Sequence, residues 1–377
     1  MMTHSGQLER WLGAEEVERL SNQMSGFYWP IPVHGVPGEV YAMPGGGFRG
    51  KIEAGEFGSA FDRGHDTLMR MQRAEQAKQR NRVNHPRFMR QNGAFASLSE
   101  IIAAATGGKK QSLNFQKTGT ASNAIGNGED LWIGAGFPAA GAAGAASPGG
   151  TAHTSANTGA LGFKNPANTN TAHFVAGYVT GSVVANSLLL YDRLFSVAKT
   201  MNSTATEDPT GVPTRYQNQT ANTDDYIGGN FVFPMNPTTV LPATAHNWTV
   251  CRYTGQDGTT VREFPTIAGV SSCTVGGIDL VAGSWFMPLA AGDVGVKALT
   301  RMQCSALVAT GTITFVIAHP IAFFPVPVAN MVCIVDGINT AFNLTKIYDN
   351  ACLAFLEMPK PATTLTLYSG QIDIVAE

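Results

Sequence analysis

The sequence predicts an α+β chain that is mainly β: an N-terminal extended arm with short helices, followed by a C-terminal antiparallel β-sandwich or barrel. Short runs rich in Val, Ile, Thr, Phe and Tyr recur through residues 172–377, and Gly, Pro, Asn and Asp separate them. β-branched and aromatic residues suit a pleated, half-buried surface, whereas the separating residues favour turns. Many short runs at close spacing are typical of sandwiches and barrels.

The opening stretch of this block and five later runs predict the individual strands. They are HFVAGYVTGSVVANSLLLYDRLFSV, NFVFPM, WTVCRYTGQDGTTVREF, SWFMPL, VKALTRMQCSALV and TITFVIAHPIAFF. Two strings in the block also share a Tyr-Asp pair between apolar residues, at Tyr191–Asp192 and Tyr348–Asp349. We expect each tyrosine ring to pack and each aspartate to accept backbone hydrogen bonds at a turn. Both pairs therefore predict architecture rather than catalysis.

Composition divides the chain into four predicted segments. Residues 1–58 form an N-terminal helix and extended arm, and residues 59–133 form a helical docking region. Residues 134–171 form a Gly/Ala-rich flexible linker or loop, and residues 172–377 form the β-sandwich domain. A chain of 377 residues is long enough for two or three domains and a substantial core.

Three helices are predicted in the first two segments. Apolar residues recur at helical spacing within Gln7–Met24, and good helix formers dominate Ser59–Arg82. The third helix, SLSEIIAAAT, takes Ser97 or Ser99 as its N-cap and ends at Gly107–Gly108.

The arm that follows the first helix is rich in proline, glycine and aromatic residues, so it cannot form a regular helix. Exposed aromatic rings would be sticky in solution, and docking on a neighbouring subunit would bury them. Together with the arginines of the second helix, these side chains are the predicted protein-interface residues: Trp11, Phe27, Tyr28, Trp29, Tyr41, Arg70, Arg73, Arg80 and Arg82.

Charge is scarce and unevenly distributed. Asp, Glu, Lys and Arg make up 14% of the chain, well below the usual quarter, which predicts a largely uncharged surface that packs against neighbours. Residues 61–90 carry eight basic and three acidic side chains, a local charge of +5. The region after Thr200 carries seven basic and thirteen acidic side chains, a local charge of −6. Copies of the chain could therefore attract each other in an assembly.

Metal sites, disulfides and membrane segments are not expected. The five cysteines are odd in number and form no CxxC pair, and the eight histidines include no pair at metal-ligand spacing. No basic start is followed by an apolar segment, and no apolar run reaches transmembrane length. We therefore expect no cofactor, no metal and no membrane contact, and synthesis in a reducing cytoplasm.

Two motifs suggest other chemistry, and each has a simpler interpretation. Gly45, Gly50 and Lys51 match most of a phosphate-binding loop, but Ile52 stands where Ser or Thr would hold magnesium. An ordinary turn explains that run. The basic helix within residues 63–90 could make a weak nucleic-acid contact, but no aromatic residues are interleaved with its charges. A solvated face or a protein-docking surface explains it better. No nucleophile stands beside a suitable base, so the chain is not expected to be an enzyme.

An ordered set of motifs in the β block resembles a family of virion structural proteins of tailed bacteriophages. The motifs are GYVTG followed by LLLYDRLFSV, then SWFMPLAAGDVGVKALTRMQ, FFPVPVANM and IYDNACLAFLEM, and they span about residues 171–377. The resemblance implies a non-enzymatic, head-associated particle component that is present in many copies. It carries over no catalytic residues.

Three functions remain open at this point. The first is a capsid-associated protein, made in the host cytoplasm, that decorates or stabilises the virion, docking by its N-terminal region on capsid subunits and self-associating through the β domain. The second is a major capsid protein that forms the shell itself. The third is a carbohydrate-binding module of a tail or fibre, in which Trp248, Tyr253 and Trp285 would form a sugar platform. Core packing explains these three aromatic residues better.

Overall fold

The computed structural model describes residues 39–40, 50–51, 95, 97–120, 124–165, 172–183, 186–217, 228–258, 261–337, 344–360 and 364–376. The chain divides into two compact units, Met1–His85 and Pro86–Glu377. In the first unit the described residues are β1 (Glu39–Val40) and β2 (Gly50–Lys51), which pair antiparallel. The helices predicted at Gln7–Met24 and Ser59–Arg82 lie outside the described residues.

The described part of the second unit is mainly β, as predicted, with a single α-helix, α1 (Leu98–Thr106). Ser97 is its N-cap and accepts a hydrogen bond from the Glu100 N–H, and Gly107 is its C-cap. Both ends confirm the prediction from sequence. A 3-10 turn covers Leu131–Ile133. The strands, in chain order, are β3 (Lys110–Thr118), β4 (Glu129–Asp130), β5 (Ala135–Phe137), β6 (Thr151–Ala152), β7 (Ala172–Gly181), β8 (Asn186–Thr200), β9 (Phe231–Met235), β10 (Asn247–Trp248), β11 (Arg252–Gly255), β12 (Arg262–Glu263), β13 (Ile267–Ala268), β14 (Val296–Arg301), β15 (Thr312–Val326), β16 (Cys333–Asp336), β17 (Lys346–Ile347), β18 (Leu353–Glu357) and β19 (Leu367–Ala376).

Two six-stranded antiparallel sheets form the sandwich. The central sheet has the order β4-β18-β8-β15-β9, and β6 also pairs with β8. The outer sheet has the order β16-β7-β19-β3-β5, and β17 also pairs with β7. Two smaller sheets, β10-β13 and β12-β11-β14, complete the described part of the unit.

The central sheet is buried on both faces. On one face Leu188 and Leu190 of β8 join the core shared with the outer sheet, where Phe115 and Phe355 stack with ring centroids 4.1 Å apart. On the opposite face Leu189, Tyr191 and other side chains join a second core that contains residues of the two smaller sheets. Cover on both faces explains why residues 188–199 of β8 are buried without interruption rather than at every second position.

Two strands, β3 and β4, lie in a region that was predicted to be helical. In the described part of residues 59–133, helix is limited to α1 and the 3-10 turn Leu131–Ile133, and β3 follows α1 as an inner strand of the outer sheet. Leu113, Phe115 and Lys117 are buried, and the residues between them are exposed, which is the alternation of a half-buried strand. The helical prediction was wrong here because this period of two was overlooked.

The Gly/Ala-rich segment is not a free linker in its described part, residues 134–165. Trp132 Nε1 donates to the Ala142 carbonyl oxygen over 2.7 Å, and the Leu161 N–H donates to the Leu353 carbonyl oxygen over 2.8 Å. β5 and β6 lie within the segment and pair with β3 and β8, respectively. Small residues let this backbone lie directly against the Trp132 ring, so composition alone was misleading. The predicted boundaries at 133 and 171 therefore fall inside one compact unit.

The run SWFMPL, predicted to be a strand, contains none. The Met287 N–H donates to the Val232 carbonyl oxygen over 2.8 Å, beside the edge strand β9, but no ladder follows. Pro288 has no N–H to continue a strand ladder.

No helix among the described residues is long and apolar enough to cross a membrane.

A pair of glycine substitutions tests the docking of the Gly/Ala-rich segment. A methyl group at Gly141 would overlap the buried Trp132 indole, whereas a methyl group at Gly149 would meet no atom within 4 Å. We expect Gly141→Ala to lower the free energy of unfolding by about 1–3 kcal/mol, as overpacking does, and Gly149→Ala to leave it nearly unchanged. Urea unfolding measures both. Equal stability of the two variants would mean that the segment is a free linker after all.

Candidate assembly surface

The outer face of the outer sheet is only partly covered. At one end Phe95 and α1, through Ile101 and Ala104, pack on Val175 and Val375. Away from α1, the same face presents exposed or half-exposed side chains of β3, β7 and β19. The inner face of the sheet is fully used by the sandwich core, so this outer face is where a partner could be accommodated.

Among the described residues, exposed apolar side chains are concentrated at one edge of this sheet, in residues 327–337, which we call the β16 strap. Four large apolar side chains of the strap are at least half exposed: Val328 at 50%, Met331 and Val332 at 59%, and Ile334 at 63%. Tyr178, the β7 register partner of Ile334, is also exposed. Apolar groups concentrated in this way mark interaction sites on soluble proteins.

The strap also carries an open strand edge. β16 pairs with β7 on one side, and no other described strand pairs with it. Natural edge strands are usually protected from further pairing by lysine, proline or a bulge. β16 has no lysine, proline or bulge; it is four residues long, and its one charged residue, Asp336, stands at its end.

The opposite edge of the outer sheet, at β5, is a strand of three exposed residues that offers little length for further pairing. Buried Lys117 donates from Nζ to the carbonyl oxygens of Gly134 and Pro138, over 2.6 and 3.1 Å. Pro138 follows the last residue of β5 and has no N–H to offer another strand. Both features limit pairing at this edge.

A shallow depression of about 220 Å³ adjoins the strap. It forms around Gly370, where any larger side chain would collide with the Tyr178 carbonyl oxygen. All the lining side chains are uncharged, and most can donate or accept hydrogen bonds: Asn114, Tyr178, Val179, Thr180, Val332, Ser369 and Gln371.

Charged groups are instead concentrated inside the unit, around β8. Arg193 donates from Nη1 to Asp130 Oδ2 over 2.6 Å, and both side chains are fully buried. The Tyr191 hydroxyl donates to the other oxygen, Asp130 Oδ1, over 2.6 Å. Burial alone would lower the pKa of Arg193, but the adjacent Asp130 carboxylate raises it, so the guanidinium remains charged. This cluster ties β4, and the 3-10 turn that Asp130 caps, to β8.

Asp192, the next residue of β8, makes a second internal ion pair. Arg215 donates from Nε and Nη2 to the two Asp192 oxygens over 2.8 and 2.7 Å, a bidentate contact. The Cys352 N–H also donates to Asp192 over 2.8 Å. The expected backbone hydrogen bond is therefore present, but the Tyr191–Asp192 pair lies within a strand rather than at the predicted turn. Asp349 does lie in a turn next to Asn350.

The histidine nearest these ion pairs is held neutral. His153 Nε2 lies 2.7 Å from Ser196 Oγ, and its ring meets the Trp132 ring edge-on at 5.2 Å. Burial, together with the charges of Arg193 and Arg215, lowers the pKa of His153 to about 2. A neutral, buried imidazole of this kind is a packing element, because it is not exposed to solvent and does not take up a second proton near neutral pH.

A third buried cluster contains two glutamates that share one lysine. Lys360 Nζ lies 3.3 Å from Glu357 Oε2 and 4.0 Å from Glu129 Oε2, and the Tyr368 hydroxyl donates to Glu357 over 3.0 Å. Burial raises the pKa of Glu129 to about 7. The nearby Glu357 carboxylate adds to this rise, and hydrogen bonds from Thr120 and the charge of Lys360 oppose it.

Every predicted interface residue lies outside the described part of the chain: Trp11, Phe27, Tyr28, Trp29, Tyr41, Arg70, Arg73, Arg80 and Arg82. The same holds for the basic segment as a whole and for His4, His34, His65 and His85. The other four histidines are all buried. Among the described residues, no three His, Cys, Asp or Glu side chains come together as metal ligands would.

Two of the three proposed sugar-platform residues are in the core. Trp248 and Tyr253 are fully buried, and Trp248 meets the Phe315 ring edge-on at 4.7 Å. Trp285 is half-buried and packs against Phe231 and Phe286. The platform was therefore wrong, and core packing accounts for these rings. The β16 strap was missed because its short apolar run does not differ in sequence from a buried strand.

One substitution tests whether the buried charges hold the unit together. Arg193→Met would leave the Asp130 carboxylate buried without its cation, so we expect the free energy of unfolding to fall by about 3–5 kcal/mol. Chemical denaturation checks this, with Arg252→Met, which breaks the exposed pair with Glu263, as a control of little effect. Adding Asp130→Asn to Arg193→Met should recover part of the loss. A single variant as stable as the parent would contradict this account.

No protein-family model and no curated protein sequence matches this chain. Among solved structures, it aligns with a VP2 subviral particle of infectious bursal disease virus at 10% identity, covering 71% of this chain and 80% of that one, with a TM-score of 0.17. The Gt strain structure of the same virus aligns at 9% identity over 71% and 80%, with a TM-score of 0.16. Scores this low carry no argument about fold or function.

Proposed function

We propose that this chain is a structural protein of a virion, one that works by association with other capsid subunits and not by catalysis. The observation that carries the proposal is the β16 strap, an exposed apolar strip on an open strand edge. Its setting in a virion rather than another assembly rests on the ordered motifs that resemble virion proteins of tailed bacteriophages.

Energetics favours an assembled state for such a surface. Fully burying one large apolar side chain contributes about 1.5–3 kcal/mol, and the strap together with Tyr178 offers five that are partly exposed. Part of that gain offsets the loss of freedom on association. In a symmetric particle every copy repeats the contact, so a modest interface is sufficient.

The internal chemistry supports a role in architecture. The buried charged groups around β8 neutralise one another at distances of 2.6–2.8 Å, and His153 is held neutral among them. Groups arranged in this way stabilise a fold and are closed to a substrate.

Within the virion, we place the chain on the capsid as a decorating or stabilising protein. Its N-terminal region would dock on the shell, and its β unit would contact further copies. A shell-forming role is the alternative, because the length and the β content suit a major capsid protein equally well. Copy number distinguishes the two.

The test is the protein content of purified particles of the virus whose genome encodes this chain. We expect quantitative mass spectrometry to find many copies per particle, alongside a separate and more abundant shell protein. This chain as the dominant protein, with no other shell protein, would establish the alternative. Its absence from purified particles would contradict a virion role altogether.

A further inference from the structure

We infer that the β16 strap is a two-fold contact between copies of this chain, in which two β16 strands pair antiparallel and the outer sheet continues from one copy into the next. The inference deepens the proposed function and rests on it, because it names the partner of the same surface. The partner is the identical strap of a second copy.

The backbone of β16 is oriented for such pairing. The Gly337 N–H donates to the Val175 carbonyl oxygen over 2.7 Å, and Val335 and Cys333 are opposite Gly177 and Val179. In an antiparallel ladder, alternate residues direct their N–H and C=O groups to the same side. Ile334 therefore directs both groups away from β7, towards the open edge. A second copy of Ile334 could exchange two hydrogen bonds with it.

Side chains on the outer face would be buried by the same contact. Ile334, Met331 and Val332 are each about 60% exposed, and Tyr178 lies beside Ile334 across the strand pair. With two straps side by side, these apolar groups from both copies form one continuous cluster. Cross-strand apolar pairs of this kind stabilise a sheet. Val335 is buried and would keep its place in the sandwich core.

Charge identifies a second copy as the partner. A two-fold contact places a patch on itself, so a charged patch would repel its own copy. The strap has one charged residue, Asp336, and the adjoining face offers Asn114, Thr180, Ser369 and Gln371. Amides and hydroxyls both donate and accept, which makes them self-complementary. A nucleic acid would find no positive charge on the strap, and a basic peptide would find the single carboxylate of Asp336.

The register follows from Asp336. A two-fold axis at Ile334 places Ile334 opposite its own copy and Asp336 opposite Val332, which keeps the two carboxylates far apart. An axis at Val335 would instead place each Asp336 opposite Ile334 and bring the carboxylates closer together. The first register buries more apolar surface at lower electrostatic cost. Pairing of β16 with β5 of another copy is disfavoured, since β5 has three residues and Pro138, which follows it, has no N–H to donate.

Cross-linking of the full-length protein tests the contact directly. In the proposed register the two Ile334 Cα atoms lie about 5.5 Å apart, within the range of a disulfide. In a Cys333→Ser background, which removes the neighbouring thiol, we expect Ile334→Cys to give a covalent dimer under mild oxidation by copper phenanthroline. Val261→Cys, an exposed position elsewhere, is the matched control and should remain monomeric on a non-reducing gel.

Sedimentation equilibrium gives an independent measurement on the full chain. We expect Ile334→Lys to weaken self-association at least tenfold, and Ile102→Lys, on the exposed side of α1, to leave it unchanged. No cross-link at position 334, or unchanged association of Ile334→Lys, would overturn the two-fold pairing. Those results would leave the virion role standing, because that role fails only if the chain is absent from purified particles.

Discussion

The central sheet is buried on both faces, and this constraint determines where every charge near it can go. β8 carries Asp192, Arg193 and Lys199 in its buried stretch, and none of them can reach water. Each is therefore paired with a group from another part of the chain: Arg215, Asp130 and Glu207, respectively. An isolated charge in such a place would cost several kcal/mol.

The pairing requirement also organises the loops. The short strand β4 at Asp130, the segment around His153 and the stretch at Arg215 are all tied to β8 by these contacts. A buried ion pair stabilises a fold little more than a well-packed apolar pair would, but it allows only one arrangement of its partners. We regard the contacts around β8 as the reason that long, glycine-rich connections take fixed paths over the sheets.

The face of the outer sheet differs from this interior in its distribution of charge. With its buried charges paired internally, the second unit presents on the outer sheet a face of amides, hydroxyls and exposed apolar side chains. Such a face has little to repel a second copy. The open edge at β16 and the short edge at β5 then give the association a direction. The low charge of the composition therefore appears in the structure as an outer-sheet face with few charges, which favours association between copies.

Local patterns in the sequence predicted the elements whose causes are local. The caps of α1, Ser97 and Gly107, and the apolar runs of β8 and β15 are of this kind. β3 was predictable from its alternation of two but was missed. The contact of Arg193 with Asp130 joins residues 63 positions apart, and the exposure of Ile334 depends on how distant parts of the chain pack around it. No single-sequence pattern encodes either property.

Hydrogen exchange of the full-length protein, followed by mass spectrometry at increasing concentration, tests the central claim most directly. Peptides from β8 and β15 should be strongly protected at every concentration, because both strands lie inside the unit. Peptides covering the β16 strap should exchange quickly in dilute solution and slow down as copies associate. Rapid exchange throughout β8 would contradict a central sheet that is buried on both faces. Exchange in the strap that does not depend on concentration would contradict association through the β16 edge.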